Sequence, residues 1–383
     1  MALQSMLNDL QVYCQTWGLK VNTNKTKIMI FEKGRHTSYN FVYNDIVLEN
    51  VNFFKYLGIN LFKNGHWNRT QKKLAQHASF SLHNLFTVFN QLELSIGDKF
   101  KLFDSMVGSV LNYGAEVYGY QEGKNIETIH CKFLRKVLCV KKATNLDGLY
   151  GETGRHPMRI HRKFIMLKYW TKLISLQNDC LLKRMYNVLK FDAENGLSYG
   201  GNNWACQIKQ ILNDIGMSNI WINQEHITIN FQQVKNRILD IYKQEWYSNI
   251  RNSSRLSSYS IYKRSLETED YLNKVNINKF RISLTKFRLS SHNLAIETGR
   301  YENVARENRL CTNCNLNVIE NEFHFLLVCP KYYSLRRKYL KPYYCRWPSI
   351  HKFEKLMSTT NTQMLNNLSK FLYFSFKERT DNS

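Results

Sequence analysis

Residues 68–92 read NRTQKKLAQHASFSLHNLFTVFNQL, and the spacing of apolar groups in that stretch decides the fold class. Leu74, Ala78, Leu82, Leu85, Phe89 and Leu92 recur every three or four positions and share one helical face, while Lys72, Lys73, His77 and Asn84 lie off it. Downstream, the same period predicts helices at about 96–112, 125–140 and 157–190, a helical stretch to about 305, and a last helix at about 350–377. Residues 184–204 are the stretch best suited to a loop or boundary, with Gly200-Gly201 as the break.

Upstream the pattern changes. Leu3, Met6, Leu7, Leu10, Cys14 and Trp17 predict an amphipathic helix over residues 2–18, with Gly18 as its C-terminal cap. Strand-length pieces follow at 27–31, 39–43 with 45–48, and 53–61, the last interrupted by Gly58. One helix and a small antiparallel cluster are too little sheet for an independent domain.

The 383-residue chain carries 54 Lys plus Arg against 30 Asp plus Glu, a formal charge of +24. Like charges repel in the compact state, so folding gains nothing from the excess, whereas a polyanion offsets it. Nucleic acid is the commonest such partner. No apolar run approaches the roughly 18 residues of a membrane helix, and MALQSMLNDL lacks the basic and apolar regions of a secretory signal. Nine cysteines without framework spacing then point to a reducing, intracellular compartment, the cytoplasm and/or nucleus, where clustered cysteines are metal ligands first. Phosphate loops of the GxxxxGK[ST] type, GxSxG elbows and HExxH helices do not occur, so no small-molecule substrate is expected. His156 and His161 flank an Arg-rich stretch and read as surface or backbone-contacting groups.

Cys311-x2-Cys314-x9-His324-x4-Cys329 is the sharpest local signal. A CxxC turn and a His-x4-Cys supply three thiolates and an imidazole, a closed tetrahedral shell for structural Zn²⁺. Val318, Ile319 and Phe323 are expected to cover one side, and Cys131, Cys139, Cys180 and Cys206 to be core. The segment KYYSLRRKYLKPYYCR at 331–346 alternates cations with aromatics. Tyrosines there can stack on unpaired bases while Lys331, Arg336, Arg337, Lys338 and Lys341 meet phosphates. The alternative is a solvated helix face whose tyrosines pack on the knuckle.

Four segments resemble the region just past the catalytic centre in reverse transcriptases of LINE-type (non-LTR) retrotransposons. LQVYCQTWGLKVNTNKTKIMIF at 10–31 is similar to the motif after the YxDD strand, and FKYLGI at 54–59 to the hairpin gripping the primer end. VLNYGAEVY at 110–118 is like the thumb segment, and YGETGRHP at 150–157 like a linker farther downstream. The cysteine site falls where many of these elements carry a CCHC knuckle. The resemblance implies a mainly α chain with a small α/β palm remnant at the N-terminus (1–67), a helical thumb-like domain (68–195), a helical connector (196–304) and a zinc knuckle with the basic segment and last helix (305–383). It also implies that Lys25 corresponds to a lysine near the triphosphate. Lys25, Lys27, Lys72 and Lys73 join the expected nucleic-acid contacts.

Polymerisation in that family needs carboxylates on two strands holding two Mg²⁺ ions. Asp9, Asp45, Asp104 and Asp147 are isolated, and no x-Asp-Asp strand occurs, so no Mg²⁺ site is expected. The chain is thus expected to bind RNA or single-stranded DNA non-specifically, with no membrane partner, and not to be an enzyme as it stands. Two alternatives remain open: a fragment of an active RNA-directed DNA polymerase whose aspartates lie upstream of Met1, and a non-functional decaying copy.

Overall fold

A computed structural model describes residues 2–31, 39–197, 203–224 and 229–381. Gly200-Gly201 lies outside the described residues. The fold is mainly α, with three two-stranded sheets near the N-terminus.

The first helix, Ala2–Thr16, buries only Leu7 and Cys14. Its Gln4 side chain holds the Val42 backbone by bonds of 2.8 and 3.0 Å, which docks the helix on the Val42–Tyr43/Ile46–Val47 hairpin. The run expected at 27–31 is a strand only over Lys27–Ile28, paired in parallel with Glu49–Asn50. The piece around Gly58 is a hairpin, Phe53–Tyr56 against Ile59–Phe62. Leu57 and Gly58 take φ of 46° and 82° at its turn, a left-handed geometry that glycine adopts without a Cβ clash.

The decisive stretch is the Asn68–Gln91 helix, and Leu74, Ala78, Leu82 and Leu85 are buried along it as its period predicts. It packs on the Lys124–Leu138 helix and on the expected 96–112 element, which consists of Ile96–Phe103, a π-turn Asp104–Gly108 and Ser109–Leu111. Phe103 stacks on Phe133 at 4.1 Å between ring centroids. The span expected as one helix at 157–190 is two, Met158–Ile174 and Leu181–Glu194. The second occupies much of the proposed 184–204 loop. The last expected helix is also two, Ile350–Met357 and Thr362–Asp381.

One apolar cluster runs from Ala75 to Leu372. The boundaries expected near 195 and 304 do not interrupt it, whereas that near 67 coincides with a gap between it and a small cluster of Leu7, Phe41, Tyr43 and Leu48. Cys131 is core, but Cys139 is exposed and Cys180 and Cys206 are half-buried. Cys139 ends the Lys124–Leu138 helix at φ 54°, which turns its side chain out of the packed face.

YGETGRHP is no linker. Glu152 is buried and accepts from Arg288 at 2.9–3.1 Å and from Tyr271 Oη at 2.6 Å. Arg288 also donates to the Met357 carbonyl at 2.8 Å and pairs with Glu269 at 2.8 Å. Burial alone would raise the Glu152 carboxyl, but the adjoining Arg288 and Lys263 hold it below its ordinary value. Tyr150 donates to Glu127 at 2.6 Å, and Arg155 pairs with Asp104. Gly154 (φ 64°) is required here, because a Cβ would sit 2.5 Å from the Thr268 backbone nitrogen. The segment therefore ties the helices before it to Thr268–Arg288 and to Met357.

Candidate metal centre

An antiparallel bridge between Leu310 and Ile319 closes the loop that carries Cys311 and Cys314. The Cys311 N–H donates to the Val318 carbonyl at 2.9 Å, and Asn317 turns the loop at φ 51°. Asn321 Oδ1 accepts the His324 N–H at 2.8 Å and starts a π-turn, His324–Val328. That turn returns the chain so that the Cys329 N–H reaches the His324 carbonyl at 2.8 Å.

The local geometry gathers Cys311, Cys314, His324 and Cys329, whose ligand atoms all lie within 4.8 Å of one another. Cys311 Sγ and Cys329 Sγ are 4.0 Å apart, and Cys314 Sγ and His324 Nε2 3.5 Å. Bonds of about 2.3 Å to sulfur and 2.0 Å to nitrogen give tetrahedral edges of roughly 3.5–3.8 Å, so the four residues fit such an ion. Cys329 and His324 are 0% and 3% exposed. Burial, and then neighbouring thiols and Glu320, raise the Cys311 thiol well above its usual range, while burial lowers His324. Crowded sulfurs that resist ionisation alone are stabilised as thiolates by a cation, and a neutral imidazole is the form that ligates.

Two buried carboxylates brace the loop. Glu320 accepts the Ala295 N–H at 2.7 Å and pairs with Arg379 of the last helix. Glu322 accepts from Ser258 at 2.7 Å and Ser290 at 3.0 Å and meets His292 Nε2 at 3.1 Å. Burial opposes ionisation of Glu322, yet His292 and these bonds bring it down to about 2. Neither partnership was read from sequence. Phe325 stacks on Phe376 at 4.7 Å, so the site belongs to the main core and does not fold as a separate small unit. Of the residues expected to cover it, Val318 is exposed, and Phe323 packs edge-on against Phe353.

The expected nucleic-acid contacts fall on separate elements. Lys25 is exposed, and Lys27 is paired with Glu49. Lys72 and Lys73 are exposed on the Asn68–Gln91 helix, and Lys73 Nζ is 5.1 Å from the Phe53 ring centroid. Lys331 is half-buried and donates to Asn313 at 2.8 Å. Arg336 is a correction: it is buried, and its guanidinium donates to the Cys329 carbonyl, so it braces the site and does not face a phosphate. Arg337, Lys338 and Lys341 are exposed. Tyr332 and Tyr344 pack inward while Tyr333 and Tyr343 face out. Lys352 Nζ and Lys355 Nζ approach the Tyr343 ring centroid at 4.8 and 5.2 Å. Trp347, one residue beyond the segment considered, is 83% exposed.

No helix among the described residues is long and apolar enough to cross a membrane. No protein-family model matches the chain, and no curated protein or solved structure matches it significantly.

Proposed function

We propose that this chain is a nucleic-acid-binding remnant of a retrotransposon reverse transcriptase that holds RNA or single-stranded DNA without strong sequence preference and does not itself polymerise. The observation that carries this reading is the +24 charge, an excess that a polyanion offsets and that folding does not use. Exposed Arg337, Lys338 and Lys341 beside outward-facing Tyr333 and Tyr343 supply the mixture of phosphate contact and base stacking that single strands require. The four-residue cluster holds Zn²⁺ in a structural role, since three thiols and one imidazole leave no open ligand position. The LINE-type origin rests on the four motif resemblances.

Fluorescence anisotropy with unstructured RNA and DNA oligonucleotides tests the binding. Affinity falls at least tenfold between about 50 and 200 mM salt; a flat response sinks the electrostatic account. Template-dependent nucleotide addition by the purified chain overturns the non-polymerising assignment.

The second reading, a fragment of an active polymerase, is favoured by one observation. Leu3, Met6 and Leu10 leave an apolar helix face in solvent, a face that further palm strands would cover. An open reading frame running upstream of the Met1 codon into an x-Asp-Asp strand supports this reading, and a stop codon there rejects it.

A further inference from the structure

Beside the last helix lies a groove that none of the motifs announced. It is a cavity of 530 Å³ between the Asn278–Arg288 helix, the Thr362–Asp381 helix and the chain at 141 and 291–293. Lys141, Lys286 and Lys377, drawn from three separate parts of the sequence, line it, and all three are exposed. Ser283, Ser291 and Asn293 add hydrogen-bonding groups, Tyr373 and Phe376 form an aromatic wall, and no Asp or Glu is among the lining residues.

Its cations are not spent on carboxylates. Lys141 Nζ donates to the His292 carbonyl at 3.1 Å, which fixes its position and leaves its charge unneutralised. Among the described residues, no carboxylate forms an ion pair with Lys141, Lys286 or Lys377. Lys279, about two helical turns before Lys286, places its ammonium 5.3 Å from the Tyr373 ring centroid and extends the basic wall. Cations brought together from distant segments, with the half-buried Tyr373 side chain beside them, match the alternation of phosphate and base along a single strand.

We infer that this groove binds a segment of single-stranded nucleic acid, with phosphates on Lys141, Lys286 and Lys377 and a base against Tyr373. The inference rests on the nucleic-acid reading above and deepens it by adding a second contact surface to the segment after the metal cluster, one that carries the larger share of the affinity. An acidic protein segment would satisfy the lysines but make no use of the aromatic wall in this way.

The test measures binding of a fluorescent unstructured oligonucleotide to the full chain and two triple variants: Lys141→Gln/Lys286→Gln/Lys377→Gln in the groove and Arg337→Gln/Lys338→Gln/Lys341→Gln outside it. The groove variant loses at least tenfold in affinity and flattens the log–log salt slope by about 2, at roughly 0.7 per phosphate contact in a single strand. The other variant retains more of its binding. A second substitution, Tyr373→Leu, weakens binding at every salt concentration without changing that slope, because stacking carries no net charge. Wild-type affinity and slope in the groove variant, with unchanged thermal unfolding, overturn the inference and leave the general nucleic-acid reading standing. Equal displacement of the oligonucleotide by polyglutamate of the same charge overturns it in favour of an acidic protein partner. A wild-type chain that binds no oligonucleotide overturns both.

Discussion

Leu48 and Leu82 are both buried leucines, at 2% and 0% exposure, but they sit in bodies of very different size. Leu48 shares its core with Leu7, Phe41 and Tyr43, beside strands of two residues each. Leu82 belongs to the cluster that runs from Ala75 to Leu372. Around the small core Met6 and Leu10 are 66% and 41% exposed, although their helix carries apolar residues at helical spacing. Ordering a residue costs about 1–2 kcal/mol of backbone entropy, which a four-residue core offsets poorly. A helical period therefore specifies a helix in both regions, and extended facing surfaces bury it only in the second.

The largest effect expected in the large body is at the metal. Cys314→Ser releases one zinc per chain and costs on the order of 10 kcal/mol, read by metal analysis and loss of cooperative unfolding. Retained cooperativity in a zinc-free chain would show that the loop folds without the ion. Glu152→Ala removes the bidentate partner of the buried Arg288, leaves it Glu269 alone, and costs about 3 kcal/mol in denaturant unfolding. Leu82→Ala costs about 2–5 kcal/mol, while Leu48→Ala leaves the main transition in place; equal shifts would erase the distinction between the bodies.

The pH response follows the same division. Glu322 is held at about 2 when folded, below its ordinary value near 4.3. Its contribution of roughly 3 kcal/mol is therefore present above the ordinary value and lost as pH falls towards about 2. Glu322→Gln removes that acid-side slope; an unchanged slope locates the acid sensitivity elsewhere. Smallest in stability is removal of residues 1–67, which leaves the main melting temperature within about 2 °C and raises solubility by discarding the exposed helix face. Faster aggregation of the shortened chain would show that the small unit protects the large one.

Much of this was legible from sequence because it is local. The period of Leu74, Ala78, Leu82 and Leu85 placed a helix and its buried face, and four ligand positions within 19 residues placed a cluster. What escaped joins distant positions: Glu152 to Arg288 across 136 residues, Glu320 to Arg379 across 59, and His292 to Glu322 across 30. A lone glutamate on a helix looks the same whether it faces water or a buried guanidinium, so charge type alone misplaced Arg336. The YGETGRHP segment failed for a related reason. Its glycines suit a flexible connector equally well as a site of close approach, and only residues brought in from elsewhere, Tyr259 and Trp246 at Gly151 and Thr268 at Gly154, distinguish them.

The clasp of Arg379 on Glu320 also sets an order of events during synthesis. A ribosome adding about 5–20 residues per second delivers the cysteine loop several seconds before the arginine, which follows Glu320 by 59 positions. For that interval the loop is open on the side the last helix will cover. The zinc proposed for the cluster would have that window in which to enter, and arrival of the final helix would shut it.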